Sequence, residues 1–555
     1  MIPAPKIKLT TGLLVMVALP PLILVHLLLP GLGGSGLQAI NNNAVLFALS
    51  AFAAISLNRC IVDTRALNIP DGLELYIAGV FLILTSAFVA PTSAFYIPLG
   101  VAFWFSMYLA LSQLETMATR RLILQLIVIS GVIEALLGLA QVLGWVPEIA
   151  GSRLNSRGIP VGGIQQSNLF ASYLCVSLGA YNWLMTDSAT GKTERLTTWI
   201  MGASMALVVA MVILSGSRTG WFALCIVSIL GTAGILTSQK KYLTTHWAGM
   251  FISGIVLAVM LTLLSGSDRV ASKAHLESTR WTLYQQAATL VLEHPIRGVG
   301  YGNVEREYVE SAAHAYATGQ SENRPMSNYT HVHTGLLQWP LEGGILGLLG
   351  VLLIAFAAAR QVGHLTPPIA LSYMTFMAPL GLHFVTEFPL RQSLMHSWLL
   401  VAGAYCASGP GKTWSIPDAW RRPARILVVS VLGLGIPIFA LNNLNTIYWT
   451  REMQKAPVDN AMKARNIIFP GPLSVQVDYA IGHGLFVAGM QGNNHALDSF
   501  IQWAQQETQQ LPRIGLLKLL ERAQTSANDQ QGLAETKQRL AYYFPTQSPS
   551  DEGSE

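Results

Sequence analysis

The sequence predicts an all-α polytopic integral membrane protein, because its composition is too apolar and too poor in charge for a soluble chain. Hydrophobic residues make up 52% of the 555 residues and charged residues only 11%, whereas soluble domains carry about 25% charged residues. The mean hydropathy is +0.44. A soluble chain of this length would instead divide into several domains of about 100–200 residues. The net charge is only +5, and no basic block points to nucleic acid.

Apolar runs recur along the chain at lengths close to the ~20 residues that cross a bilayer as a helix. Lys6 and Lys8 precede the first run, which we interpret as a span and not as a cleavable signal. The thirteen predicted spans lie near 11–30, 43–58, 75–91, 95–112, 122–145, 167–185, 197–214, 219–236, 247–265, 334–359, 367–386, 394–408 and 424–441.

The basic residues of the connecting loops predict the orientation of these spans, since cytoplasmic loops are enriched in Lys and Arg. If all thirteen spans are real, alternate loops carry the positive charges, and the N-terminus lies in the cytoplasm. The residues concerned are Lys6, Lys8, Arg59, Arg65, Arg120, Arg121, Lys192, Arg195, Lys240, Lys241, Arg360, Lys412, Arg421, Arg422 and Arg425.

The same orientation places two long segments outside the cytoplasm. We expect a transmembrane catalytic domain over 1–441, whose large outer loop covers 266–333, and an outer helical domain over 442–545. Apolar residues at helical spacing predict four helices in that domain, at 475–489, 494–509, 512–525 and 528–542. The Ser- and Glu-rich end at 546–555 is predicted to be disordered.

Polar residues with catalytic potential gather on the predicted outer face, and two groups precede spans. Arg157, Gln165 and Asn168 lie in a glycine-containing loop, where backbone can approach a ligand closely. Arg218 lies in the short turn Ser217-Arg-Thr-Gly220. Arginine is suited to phosphate, but an ordinary polar loop and a side chain that reaches lipid headgroups are the structural alternatives.

The large outer loop contributes Arg280 and Tyr284, which share a helix face at a spacing of four residues. Gly298, Gly300 and Gly302 follow Pro295. This run resembles a nucleotide-binding loop only superficially, because no strand precedes it. A tight turn after a helix that ends before Pro295 is the better interpretation.

The segment from His333 to Gly347 carries the strongest signal. If the helix begins at His333, then Pro340, Gly344 and Gly347 lie beneath the imidazole on one face, and small residues there allow close helix packing. Glu342 lies on another face as an intramembrane carboxylate. An interfacial histidine bonded to water is the structural alternative for His333.

A further polar group, His383, Glu387 and Arg391, lies at the outer end of the eleventh span. His383 and Glu387 are four residues apart, but no H-E-x-x-H or comparable zinc spacing occurs. None of the four cysteines has metal-ligand spacing. Several outer arginines with a histidine suit a pyrophosphate leaving group and a hydroxyl nucleophile without a metal or cofactor.

These motifs resemble the O-antigen ligase superfamily. The similarity rests on His333-Thr334 with Gly344-Ile-Leu-Gly347, on the Ser217-Arg-Thr-Gly220 turn, and on the Arg280-to-Gly302 segment. Within the superfamily, the glutamine loop Arg157–Asn168, the Glu387-Phe-Pro389 segment and the C-terminal outer domain resemble the protein O-oligosaccharyltransferases (PglL-like). Thr334 and Ser167 depart from the usual residues of this pattern, which leaves the acceptor open.

The resemblance implies a GT-C-like membrane fold in the bacterial inner membrane, with the site and the C-terminal domain in the periplasm. It implies transfer of a glycan from undecaprenyl pyrophosphate to a Ser or Thr of a pilin-like protein. His333 would activate the hydroxyl, with Glu387 as an orienting residue. Arg218, Arg280 and Arg157 would bind pyrophosphate, and Gln165, Asn168, Tyr284 and Arg391 would position substrate. Lipid A core ligation, O-antigen polymerisation and, in a different class, a lipid-linked sugar flippase are the alternatives.

Overall fold

The computed structural model describes residues 10–29, 34–114, 116–148, 154, 158–187, 192–240, 242–265, 278–326, 329–409, 411–457 and 460–545. Arg157 and the predicted tail 546–555 lie outside these residues. The α-helices are α1 Thr11–Leu22, α2 Ile40–Arg59, α3 Leu73–Val89, α4 Tyr96–Ser112, α5 Thr116–Val142, α6 Ser167–Asp187, α7 Lys192–Leu214, α8 Arg218–Thr237, α9 Tyr242–Ser265, α10 Ser278–Glu293, α11 Val304–Ala317, α12 Gly335–Arg360, α13 Pro367–Thr386, α14 Pro389–Gln392, α15 Leu394–Ala407, α16 Asp418–Val428, α17 Ile436–Lys455, α18 Asn460–Ala464, α19 Ser474–Met490, α20 Asn494–Gln510, α21 Ile514–Ser526 and α22 Gln530–Tyr543.

Helices coincide with all thirteen predicted spans, and α19 to α22 coincide with the four helices predicted in the tail. Among the described residues, seven helical segments can cross a membrane by their length and composition: Ile40–Thr64, Met117–Val142, Arg218–Thr237, Tyr242–Leu264, Gly335–His364, Pro367–Thr386 and Asp418–Lys455. Five further apolar helices are shorter. The protein is therefore a helical multi-pass membrane protein, while the count of thirteen crossings stays a prediction.

One small β-sheet accompanies the helices of this otherwise α-helical structure. Strand β1, Ala66–Ile69, pairs antiparallel with strand β2, Lys412–Ser415. The Gln113 side chain bonds both the N–H and the carbonyl of Asn68, at 2.8 and 3.0 Å. The prediction missed the strands because each is only four residues long and its partner is far away in the sequence.

This sheet also joins two loops that the charge pattern assigns to the same side. Other basic residues make similar links between loops: Arg360 pairs with Asp71 at 3.5 Å, and Arg425 donates to Asn58 at 3.1 Å. These contacts bring together three of the basic loops, those that carry Arg65, Arg360 and Lys412.

The chain divides into two compact units. The first comprises Met1–Phe81, Leu99–Leu276 and Gly350–Leu441. Its centre is α6, which packs against α5, α7, α8 and α13 and is buried over nearly its whole length. Close packing depends on small residues, since a Cβ atom on Gly179 would lie 2.5 Å from the Cα of Phe376.

Helix α6 is too polar to be one of the seven candidate spanning segments. Its polar side chains form hydrogen bonds with neighbouring helices inside the first unit. Asn182 donates to the carbonyl of Gly231 at 3.1 Å and accepts from Ser372 at 3.0 Å. Thr186 bonds Ser372 at 2.7 Å. A central helix can carry such residues because its neighbours supply partners in place of water.

The second unit comprises Leu82–Pro98, Glu277–Leu349 and Asn442–Glu555. In this unit the helical tail packs with residues of the outer loop, while the predicted division into domains at 441 stays a prediction. Arg513, at the start of α21, forms two hydrogen bonds with the buried carboxylate of Glu305 on α11. Tyr543, at the end of α22, donates to Glu310 at 3.1 Å.

Candidate active site

In the first unit, three helix ends bring predicted site residues together. Asn168 lies at the start of α6, Ser217 immediately precedes α8, and Glu387 immediately follows α13. The Asn168 amide nitrogen donates to the Glu387 carboxylate at 3.3 Å, and its oxygen accepts from the Ser217 hydroxyl at 2.8 Å. Asn168 thus links the other two ends, which are distant from it in the sequence.

The exposed Arg218 is the first residue of α8. The preceding Ser217 caps this helix, because its hydroxyl accepts from the N–H of Gly220 at 3.0 Å. The free N–H groups of a helix start favour anions. An arginine at this position therefore combines its own charge with the positive end of a helix, which suits a phosphate ligand.

The shared role of Ser217 leads to a first prediction. We expect Ser217→Ala to lower the free energy of unfolding by about 1 kcal/mol, because it removes a helix cap, and to reduce activity, because it also releases Asn168. Ser217→Thr retains the hydroxyl and should restore both properties. Thermal unfolding in detergent and an activity assay would test this, and equal activity of the Ala and Thr variants would contradict the positioning role.

Below this cluster, a second polar layer lies entirely inside the helices. Ser172 is one turn after Asn168 on α6, and His383 is one turn before Glu387 on α13. The Ser172 hydroxyl lies 2.6 Å from Nδ1 of His383 and 2.9 Å from Nε2 of His396 on α15. His383 is completely buried, so its polar contacts fix α13 against α6. His396 was not predicted as a site residue because it stands alone within an apolar run.

The glycine-containing loop before α6 is fixed by two polar residues of α5. The side-chain oxygen of Gln141 accepts from the N–H groups of Val161 and Gly162, both at 2.8 Å. The carboxylate of Glu134 accepts from the N–H of Gly163 at 3.0 Å and bonds the His26 ring at 2.8 Å. The loop backbone therefore lies directly on α5.

Gln165, near the end of this loop, is buried and has a left-handed backbone with φ of 62°. Its side-chain nitrogen donates to the carbonyl of Leu29 at 2.7 Å. This contact anchors the loop to the segment after α1. The structure thus shows Gln165 in an anchoring contact, and its predicted role in positioning substrate remains a prediction.

Glu134 was missed by the sequence prediction, although a carboxylate within a predicted span is itself a signal of function. A second prediction follows from its contacts. Glu134→Leu leaves the Gly163 N–H and His26 without this buried partner, and we expect it to destabilise the protein by about 2–4 kcal/mol. Glu134→Gln keeps the shape and an acceptor oxygen, so its loss should be smaller. Equal melting temperatures for the Leu variant and the parent would contradict the prediction.

Arg391 lies close to the first cluster in sequence but has a different kind of contact. Its guanidinium lies over the ring of Phe388, 4.4 Å from the ring centroid. Stacking on an aromatic face holds the planar group in one orientation. The structure therefore fixes this arginine beside the Glu387 segment, and its role toward substrate stays a prediction.

The second unit contains the other predicted group: His333, Tyr284 and Arg280. The Tyr284 hydroxyl donates to the carbonyl of His333 at 3.3 Å. The half-buried His333 ring packs edge-on against Tyr329, with centroids 6.4 Å apart, and lies near the ring of His331. Burial raises the pKa of Tyr329, and the positive charge of Arg280 opposes this rise. Arg280 is therefore near enough to Tyr329 to affect its ionisation.

The prediction that the helix begins at His333 is wrong. His333 has a left-handed backbone, with φ of 54°, and α12 begins at Gly335. Histidine is among the few residues that adopt this conformation with moderate cost. The imidazole is consequently presented by a turn that Tyr284 holds, and not by the first turn of the helix.

The predicted helical face beneath His333 is also wrong, because α12 is interrupted at Gly344. This residue has φ of 58° and ψ of −152°, a conformation essentially restricted to glycine. The segment Pro295–Gly302, which contains the three glycines, forms backbone hydrogen bonds with α12 on both sides of this break. The N–H of Gly300 donates to the carbonyl of Glu342 at 3.0 Å, and the N–H of Ile345 donates to the carbonyl of Pro295 at 2.9 Å. The run thus has a structural role, as its interpretation as a turn implied.

These features define a multi-pass helical membrane protein with polar side chains gathered at helix ends and in the large loop. A family model described as O-antigen ligase matches residues 203–352. A second, described as the C-terminal part of a virulence factor membrane-bound polymerase, matches residues 371–552. Together the two matches support the O-antigen ligase superfamily. No significant match is found among curated proteins.

The matched ranges cover most of the predicted site. Arg218, Arg280 and His333 lie in the first range, and Glu387 lies in the second. Members of this family are glycosyltransferase-like membrane enzymes that act as ligases or polymerases on lipid-linked glycans. This activity agrees with the arginine-rich polar groups that the structure places at helix ends.

Proposed function

We propose that this protein transfers an oligosaccharide en bloc from undecaprenyl pyrophosphate to a serine or threonine hydroxyl of a periplasmic acceptor protein such as a pilin. The observation that carries the proposal is the setting of His333. A turn held by Tyr284 presents its imidazole, and Arg280 lies on the same helix, α10, as Tyr284. A base and a pyrophosphate-binding group are what such a transfer requires.

In the proposed step, the acceptor oxygen attacks the anomeric carbon, and the bond from that carbon to the pyrophosphate oxygen breaks. His333 receives the hydroxyl proton, and undecaprenyl pyrophosphate leaves with its electron pair. Arg280 and Arg218 stabilise the developing negative charge, with Arg157 as a further candidate. Attack opposite the leaving group inverts the anomeric configuration, which NMR of the product linkage would check.

The remaining residues are assigned to positioning. Asn168 and Glu387 hold the starts of α6 and α8 against the end of α13 through the contacts at 3.3 and 2.8 Å. Gln165 anchors the preceding loop. The arginines supply the positive charge, so we propose that the reaction needs no metal. Loss of activity in EDTA, with recovery on adding a divalent cation, would refute that part.

The test is a reconstitution of the purified protein with a polyprenyl-pyrophosphate oligosaccharide and a pilin. Intact-protein mass spectrometry should show a glycan-sized increase in the mass of the pilin. Transfer to lipid A core would instead indicate a ligase, and growth of the lipid-linked chain would indicate a polymerase. The helical tail is the feature that favours a protein acceptor, by analogy with the subfamily it resembles.

The flippase alternative predicts a different result in the same system. A flippase moves the lipid-linked glycan across a vesicle membrane and leaves both the pilin and the glycan–pyrophosphate bond unchanged. Release of undecaprenyl pyrophosphate only when acceptor is present would exclude it. Vesicles with the donor on one side allow the two activities to be measured in parallel.

A further inference from the structure

Helix α10, which carries Arg280, exposes large apolar side chains on one face. Trp281 is 65% exposed and Leu292 is 79% exposed. Their separation of eleven residues returns to nearly the same angle around a helix. Leu283, Ala287 and Leu290 lie on the opposite face and are buried in the core of the second unit. Ile296, in the turn that follows the helix, is 68% exposed as well.

An exposed apolar face of this kind needs a partner, because water is an unfavourable environment for it. Gln285 and Thr289 are exposed on the same face between Trp281 and Leu292. The face is therefore mixed, with a tryptophan, aliphatic residues and short polar ones. That composition is typical of helices that lie in the interface of a bilayer.

The position of this face along a spanning helix identifies the partner. The carbonyl of Pro295 accepts from the N–H of Ile345 at 2.9 Å, so the end of the α10 segment lies beside Ile345. Ile345 belongs to the segment Gly335–His364, which is long and apolar enough to cross a membrane, and its side chain is 43% exposed. On a helix that spans a bilayer, an exposed apolar side chain contacts lipid chains.

Leu349, one turn after Ile345 on α12, is also 43% exposed. Ile296, next to Pro295, therefore lies beside an exposed apolar surface of a helix that can cross a membrane.

We propose that α10 is an interfacial helix, and that Trp281, Leu292 and Ile296 contact the acyl chains and headgroups of the bilayer. The helix then holds Arg280 at the level of lipid headgroups. This consequence, which rests on the proposed function, places a pyrophosphate-binding arginine where the pyrophosphate of a membrane-embedded donor lies. The chemical partner of the apolar face itself is phospholipid.

A second group of exposed apolar residues in the same unit is consistent with a surface that contacts lipid. Ile468 and Phe469 are both exposed. The Phe469 carbonyl accepts from Asn442 and from Thr446 on α17, which belongs to the spanning segment Asp418–Lys455. Thus two separate parts of this unit expose apolar side chains beside helices that can cross a membrane.

Spin-label depth measurements on the full chain in phospholipid nanodiscs test the proposal without any need for activity. Labels are introduced at Leu292→Cys and Ile296→Cys in a Cys225→Ala background, since Cys60, Cys175 and Cys406 are buried. Gln320→Cys, at an exposed position of the same unit, is the aqueous control. We expect the ratio of the collision rate with oxygen to that with a nickel chelate to be at least about threefold higher for labels at positions 292 and 296 than for the label at position 320.

Equal accessibility to the nickel chelate at all three positions would overturn the proposal. It would indicate that a second copy of the chain or an acceptor protein, and not lipid, contacts this face.

A second measurement addresses Arg280. Leu292→Asp should raise KM for the lipid-linked donor several-fold with kcat within about twofold. If the parent chain shows no transfer, the proposed function fails while the depth result still stands; an unchanged KM in an active enzyme refutes only the link to the donor.

Discussion

His333→Asn should abolish glycan transfer while the protein remains folded and embedded. A general base contributes about 10²–10⁴-fold to the rate, so we expect kcat to fall by at least about 100-fold. Asparagine is the sharpest substitution here, because His333 has a left-handed backbone and asparagine tolerates that conformation. The amide cannot accept a proton near neutral pH, so the variant removes the base and keeps the turn.

His331→Asn is the matched control, since its ring lies 4.2 Å from the ring of His333. We expect this variant to retain most of the activity. Donor binding should survive in both variants, and it is measurable with a fluorescent lipid-linked analogue. Loss of transfer in His331→Asn alone would move the assignment of the base to the neighbouring residue, and full activity in both variants would refute base catalysis by this pair.

Gly344→Ala should produce a large loss of stability in the second unit. Its backbone conformation, with φ of 58° and ψ of −152°, is essentially closed to other residues. A Cβ atom there would also lie 2.2 Å from the carbonyl oxygen of Ile296. Backbone strain and this clash together should cost about 3 kcal/mol or more. We expect a markedly lower melting temperature in detergent and little folded protein.

Gly381→Ala provides the comparison, because this glycine lies inside α13 and a Cβ atom would meet nothing within 4 Å. Alanine favours a helix over glycine by about 1 kcal/mol, so the control should be neutral or slightly stabilised. If Gly344→Ala and the parent protein have the same melting temperature, the prediction is contradicted, because the backbone at the break in α12 would then accommodate alanine without loss of stability.

The sequence predicted the positions of helices well, because their length and apolar composition are local properties. Helices coincide with all thirteen predicted spans and with α19 to α22. The arginines and the histidine stood out for the same reason, as polar residues in apolar surroundings. The charge pattern assigned to one side the three loops that Arg360, Arg425 and the sheet link, and the orientation of all the loops stays a prediction.

Contacts between segments that are distant along the chain could not be predicted from the sequence. Nothing local indicates that Asn168 links Ser217 to Glu387, or that Glu134 holds the backbone of Gly163. The backbone of His333 and the break at Gly344 were predicted wrongly, because helical periodicity was extended through residues whose conformation depends on outside partners. Tyr284 and the glycine run are those partners.

Composition and periodicity by themselves thus determined that this chain is a helical membrane protein with arginine-rich polar groups and a histidine. Only the tertiary structure decided which groups meet, how the His333 turn is built, and that the tail packs in one unit with the outer loop. The physical reason is that a helix in lipid satisfies its own backbone and so depends on local sequence. A polar side chain in the same environment must find its partner on another segment, and sequence spacing does not specify that partner.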